Sequence, residues 1–371
     1  MTTTQNPQPP LPQAQAHRCR LVRAGIVLGM VSAIALAGCG GPGDNSTTAG
    51  QETTNKTVRL LTHDSFDVSD DVVALFEEES GYTLEIIPVG NAGSLVNQLI
   101  LTKEDPLGDA VFGIDNTFAS RALDQGVLAP LEAAPVPGAE QFAAEGAGRL
   151  APMDYSDVCV NIDREWFAEA DLAEPTSLED LTDPAYKDLL VVENPATSSP
   201  GLAFVLATIS AFGQDGWLDY WADLAANGVR VVEGWSDAYY VDFSGPSSEG
   251  DRPLVVSYAS SPPSEVPDGA DQAPTASLLD TCFRQVEYAG VLEGASNPEG
   301  AAALIDFLGQ AAFQTDLPST MWVYPVNTEA QLPEAWVEYA PLAQNPWPVP
   351  AAEISANRDT WIDQWTATVI G

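Results

Sequence analysis

From Thr57 onward the chain alternates segments of strand and helix character, a pattern that confines it to a layered α/β architecture. Val58-Arg59-Leu60-Leu61-Thr62 reads as a strand. After a His63-Asp64-Ser65 turn, Asp70 to Ser80 carries Val72, Val73, Leu75 and Phe76 at helical spacing, with Gly81 just past the end. Tyr82 to Val89 reads as a second strand. Ser94 is placed to cap a helix holding Leu95, Val96, Leu99 and Ile100, and Asp109 to Ile114 is an apolar strand running into Asp115. Strands separated by single helices predict a mostly parallel sheet. Ligands of such sheets sit at the carboxyl ends of the strands, which is where His63, Asp64, Asn91 and Asp115 fall.

Two later strands differ in kind. Ala151 to Ile162 and Leu278 to Ala289 are long, rich in apolar residues, and hold one cysteine each, Cys159 and Cys282. They are the candidates for paired crossovers between two lobes. The intervening stretch has strand and helix signals of its own at Leu189 to Glu193, Gly201 to Phe212, Trp217 to Ala226, Val229 to Glu233 and Leu254 to Tyr258, enough for a second α/β lobe. From Asn297 the chain is helical again, with Pro298 at the start and Ala303, Leu304, Phe307 and Leu308 on one face. Trp361 and Trp365 stand at i,i+4 near the end.

The first 56 residues read as an address and a tether. Residues 1–23 carry Arg18, Arg20 and Arg23 and no acid, and Ala24 to Gly38 is uncharged and mostly apolar. This is the pattern of a secretory signal, too short for a permanent membrane span. Leu36-Ala37-Gly38-Cys39 resembles the bacterial lipobox, in which the signal is cut before the cysteine and the thiol is lipid-modified. The expectation is a signal peptide over 1–38 and a Gly/Ser/Thr/Asn-rich tether over 39–56, with lipid on Cys39 holding the protein to the outer face of the cell membrane. Cys19 leaves with the signal, so Cys159 and Cys282 are the pair left in an oxidising exterior. They suggest a disulfide, the alternative being two separate buried thiols.

Charge and motif content exclude more than they select. With 53 Asp+Glu against 14 Lys+Arg the chain is formally −39, which argues against nucleic acid as a partner. His17 and His63 are the two histidines, too few for paired-His metal helices. Neither a nucleophile elbow nor a phosphate-cradling Gly-rich loop nor a C-x-x-C pair occurs, so neither catalysis nor a resident metal or cofactor is expected.

What stands out is a set of loops that end strands or helices in aromatics and small polar residues. Thr197-Ser198-Ser199-Pro200-Gly201 precedes an apolar helix, so hydroxyls and free backbone N–H groups converge as a ready anion site. Gly234-Trp235-Ser236-Asp237-Ala238-Tyr239, Ser257-Tyr258-Ala259-Ser260-Ser261-Pro262 and Met321-Trp322-Val323-Tyr324-Pro325-Val326 each present aromatics at an element end. Taken alone, each aromatic is ordinary packing; several loops with the same chemistry point to a ligand.

These stretches, with Thr62-His63-Asp64-Ser65-Phe66 and Asp109 to Asn116, run in the order and spacing of a known family over nearly all of 57–371. The body resembles the thiamine-binding substrate-binding proteins of bacterial ABC importers. The resemblance implies a two-lobed periplasmic-binding fold of type II, an α/β fold with two hinge strands and a mostly parallel, helix-flanked sheet in each lobe. The first lobe would be 57–155 plus 288–371 and the second 156–287. It implies aromatic walls from Trp235, Tyr258 and Trp322, first-lobe contacts from His63, Asp64 and Ser65, and a hydroxyalkyl or phosphate end held by Ser198, Ser199 and Gly201. Tyr239, Tyr324, Asn91 and Asp115 complete the expected set. Asn91 stands where the family can carry an acid, leaving Asp115 or Asp64 to supply that charge, and Ser264 stands where a family Tyr falls. The partners implied are thiamine or its phosphates and the importer's permease, with the protein a monomer that closes around its ligand. The alternatives are an iron(III)-binding relative using Tyr239-Tyr240 with His63 and a carboxylate, a polyamine-binding relative, and, further off, a secreted thiamine-processing enzyme.

Overall fold

In strand β1 (Thr57–Thr62) Val58, Leu60 and Leu61 are buried and Arg59 faces outward. Both faces of its neighbourhood are covered, and the sequence shows why: helix α1 (Asp70–Ser80) turns Phe76 inward, strand β2 (Thr83–Pro88) follows, and helix α2 (Ala92–Leu101) buries Leu95, Val96 and Leu99. Strand β3 (Ala110–Asp115) is buried along its whole length. The computed structural model describes residues 56–144, 148–267, 270 and 272–371; the expected signal, Cys39 and the tether up to residue 55 lie outside the described residues.

After helix α3 (Ala119–Gln125) come the two long strands, β4 (Ala151–Asp163) and β8 (Thr275–Val291). Between them lie helix α4 (Arg164–Glu169), strand β5 (Leu190–Glu193), helix α5 (Ser199–Ala226), strand β6 (Arg230–Val232), the helical turn α6 (Trp235–Asp237) and strand β7 (Leu254–Tyr258). Helix α5 is interrupted at Gly213 (φ 69°, ψ 173°), between the two helical segments that the apolar pattern separates. The chain closes with α7 (Pro298–Leu308), α8 (Ala311–Thr320), the short strand β9 (Tyr324–Pro325), α9 (Glu334–Tyr339) and α10 (Ala351–Val369).

One sheet contains all of these strands, in the order β2-β1-β3-β8-β4-β7-β5-β6, with β9 added to β4. The outer trios β2-β1-β3 and β7-β5-β6 are parallel, whereas β8 and β4 run antiparallel to each other and to their neighbours β3 and β7. Two trios built by helix crossovers are therefore stitched together by the long pair. One apolar core places α1, α7 and α8 against β1 and β3 through Phe76, Phe112, Leu304 and Phe313. The other runs beneath α2 and α5 and reaches α10, where Trp221 and Trp365 meet edge to face at 5.4 Å.

Helix α2 begins at Ala92, two residues before the Ser94 cap expected from the sequence. The cause lies far away in the chain: the Gly93 N–H donates to the Thr197 carbonyl at 2.9 Å, so a first-turn donor finds its partner across the molecule and needs no serine.

Cys159 and Cys282 are joined in a disulfide with Cα atoms 4.2 Å apart, linking β4 to β8. It closes 123 residues of chain, which the chain-entropy account values at about 5 kcal/mol before strain is subtracted. Reduction is expected to lower the melting temperature while leaving far-ultraviolet dichroism native at 25 °C, because the ladder between β4 and β8 persists without the bond. A melting curve unchanged by reductant would contradict this.

Candidate functional site

The carboxyl end of β1, the starts of α2 and α5, the α6 turn, the end of β7, Glu287 on β8 and the α8–β9 connection converge on one cavity of about 360 Å³. That volume falls in the range of small-molecule sites. His63, Asp64, Ser65, Asn91, Ser198, Ser199, Trp235, Tyr258 and Trp322, all expected from the sequence, line it.

The aromatic wall is held rigidly. Trp235 donates its indole N–H to Ser257 Oγ at 2.8 Å, stacks on Tyr239 at 5.0 Å and meets Tyr240 edge to face at 5.2 Å. Tyr258 stands 6.2 Å from Trp235, and its hydroxyl accepts from Gln285 Nε2 at 3.3 Å. Trp322 adopts φ 56°, a backbone region that a bulky side chain enters only under constraint. Five residues further on, the chain is pinned by Gln314, fully buried, whose amide donates to Met153 and Leu308 carbonyls and accepts the Asn327 N–H at 3.0 Å.

His63 sits at the end of β1 against Gly113, where a Cβ would lie 2.2 Å from the imidazole; only glycine allows the ring to settle there, at a register shift in β3. Its Nε2 faces Glu287 Oε2 at 3.5 Å. Glu287 belongs to an unusual row: in register it lies opposite Asp115 on β3 and opposite Asp154 on β4, so three carboxylates stand side by side across the sheet, each less than a tenth exposed. Like charges placed so are destabilising unless a proton or a cation intervenes.

The acidities follow from that crowding. Burial, with the Glu287 charge beside it, pushes Asp115 up to about 7 against the hydrogen bonds of Thr117 and Phe118 that favour its anion. Burial and then Glu287 hold Asp154 well above the ordinary carboxyl range, and burial does the same to Glu193 at the end of β5. For His63 burial acts downward, but Glu287, Asp64 and Asp115 outweigh it and the net shift is upward.

Four contacts cross the cavity mouth from the β1–β3 side to the β5–β7 side. Ser65 and Ser236 hydroxyls lie 3.3 Å apart, Asn91 Nδ2 donates to the Glu233 carbonyl at 3.5 Å, Gly93 N–H reaches Thr197, and Ser199 Oγ donates to Asp115. Asn91 rests on Gly234, where a Cβ would come within 2.2 Å of its Oδ1.

Four expected residues do not line the cavity. Asp115 lies behind Ser199; Tyr239 is buried behind Trp235; Gly201 is pressed on the Glu193 carbonyl; Tyr324 points the other way, stacking on Tyr155 at 5.5 Å and donating its hydroxyl to Ala340. The expected anion site at the start of α5 has several of its donors already engaged. Pro200 has no N–H, the Gly201 amide is taken by Ser198 Oγ at 3.3 Å, and the Ser199 hydroxyl serves Asp115. Conversely, Glu287 and Asp67 line the cavity without having been expected. A signal for Glu287 was there: Gln285 and Glu287 stand at i,i+2 on one face of a strand, in a stretch that runs on into the apolar Tyr288-Ala289-Gly290-Val291. Among the described residues no group of three or more His, Cys, Asp or Glu is arranged to hold a metal ion.

A profile of the bacterial extracellular solute-binding proteins matches residues 105–347. The chain belongs to that family. It is 28% identical over 299 residues to the thiamine-binding periplasmic protein of Escherichia coli (strain K12), spanning 79% of this chain and 86% of that one. To the thiamine-binding periplasmic protein of Brucella suis biovar 1 (strain 1330) it is 29% identical over 326 residues, or 84% and 91% of the two chains. A solved periplasmic thiamin binding protein superposes with a TM-score of 0.74 at 26% identity, covering 84% of this chain and 96% of that chain. The fold is thus the type II periplasmic-binding fold, with β4 and β8 as its crossover strands, and these relatives are named as binding proteins, not enzymes.

Because Asp115, Asp154, Glu193 and His63 all hold protons more tightly when folded, the stability they contribute is complete in acid and is lost as the pH rises through the Asp115 value of about 7. Asp180 and Asp251, whose carboxyls hydrogen bonds hold down, act oppositely but are exposed and offset little. The unliganded protein is expected to melt several degrees lower at about pH 8 than at about pH 5.5, and Asp115→Asn to flatten that dependence. A melting temperature that rises over the same interval in the wild type would refute the assignment.

Proposed function

We propose that this protein captures thiamine in the cavity and passes it to the permease of an ABC importer. The observation that carries the reading is an aromatic wall of Trp235, Tyr258 and Trp322 in one cavity with a buried carboxylate, Glu287. Thiamine presents a flat aminopyrimidine, which stacks and exchanges hydrogen bonds, and a thiazolium cation, which is attracted by π faces and by carboxylates. The names of the relatives support the same ligand.

In this reading residues 57–155 with 288–371 form one lobe and 156–287 the other, and the lobes rotate about β4 and β8. The contacts of Ser65, Asn91, Gly93 and Asp115 with the opposite side latch the closed form that the permease receives. The protein acts as a monomer without turnover, anchored outside the membrane by lipid on Cys39.

An iron(III) site built on Tyr239 and Tyr240 is disfavoured by their environment. Iron(III) is bound by phenolate, yet burial and then the Glu265 charge make both phenols harder to ionise than usual. Tyr239 is moreover buried behind Trp235.

Calorimetry of thiamine, spermidine and iron(III) citrate against the mature protein tests the proposal. A single thiamine site is expected, with Trp235→Ala weakening it by about tenfold to a hundredfold through the lost stacking surface. Heat from spermidine or iron but none from thiamine would overturn it.

A further inference from the structure

The sequence left the phosphorylation state of the ligand open, and the cavity carries information on it. Its lining includes three acids, Asp64, Asp67 and Glu287, and among the described residues that form it there is neither Lys nor Arg. The one base, His63, is turned toward Glu287, and the buried Asp115 and Asp154 stand beside that glutamate. Nearby guanidinium groups are committed elsewhere: Arg284 to Asp157, Arg230 to Asp242 and Asp251. The helix start that would cradle an anion has Pro200 without a donor, Gly201 capped by Ser198, and Ser199 bonded to a carboxylate.

We infer, building on the thiamine reading above, that this site selects the unphosphorylated cation and rejects its phosphate esters, with Glu287 as the residue that sets the preference. A phosphomonoester brings between one and two negative charges at neutral pH and needs donors or cations to replace its water. Here it would meet acids. A hydroxyethyl end, by contrast, finds the hydroxyls of Ser65, Ser198 and Ser236, which line the same cavity. Glu287 is 5% exposed, so its charge acts on a bound cation with little screening by water.

The test is a calorimetric comparison of thiamine, thiamine monophosphate and thiamine diphosphate on the mature protein and two variants. The wild type is expected to bind thiamine at least about tenfold more tightly than either ester. Glu287→Gln should weaken thiamine more than a neutral analogue whose thiazolium is replaced by an uncharged ring. Its melting temperature should not fall, since one member of a repelling row has been neutralised. Asp67→Lys, at an exposed rim position, should narrow the gap between thiamine and its monophosphate. Esters that bind as tightly as thiamine, or a Glu287→Gln loss equal for cation and neutral analogue, would overturn the inference while leaving thiamine capture standing. Binding of none of the three would overturn both.

Discussion

The antiparallel ladder between β4 and β8 is the constraint from which the rest of the molecule takes its place. These strands pair from Ala151 with Ala289 to Asp163 with Thr275, and the Cys159–Cys282 bond ties them near the middle. One parallel trio hangs from β8 through β3 and the other from β4 through β7, so the relative position of the two halves is decided where the long strands cross. The chain's last segment returns to the same place. Arg284 on β8 pairs with the buried Asp157 on β4, Asp157 also accepts the Ala343 N–H at 2.7 Å, and Trp347 donates to the Cys282 carbonyl. A buried acid here is tolerated because it is fully partnered.

A few residues along the same ladder, partnering gives way to deliberate imbalance. Asp115, Glu287 and Asp154 share a row and have one nearby base, His63, among them. Buried groups with strongly perturbed acidity cluster at functional sites. Glu287 brings that row into the wall of the cavity that Trp235, Tyr258 and Trp322 also line.

Much of this architecture was legible in the sequence, and the exceptions share a cause. Helix α1, strands β3 and β7 and the break in α5 follow from local periodicity and from glycine, so their apolar spacing sufficed. The start of α2 did not, because the partner of the Gly93 amide is Thr197, more than a hundred residues on. The aromatics of the site were recognisable by family resemblance, yet resemblance does not say which side of a loop faces the cavity, and Tyr239 and Tyr324 turned inward. Asp115 was placed correctly at a strand end, but its bond to Ser199, which engages one hydroxyl of the expected anion site, depends on a strand end and a helix start meeting in space. Pro200 had announced part of that loss: a residue without an N–H cannot cradle a phosphate.

In the proposed complex a flat cationic ring lies between the aromatic wall and Glu287 while the crossing contacts hold the halves together. A crystal structure of the mature protein grown with saturating thiamine examines it most directly. The ligand is expected in this cavity, with an aromatic ring of Trp235, Tyr258 or Trp322 against its face and the Glu287 carboxylate within hydrogen-bond or ion-pair distance. Thiamine bound elsewhere, or a cavity occupied with Glu287 turned away and the cation facing solvent, would contradict it.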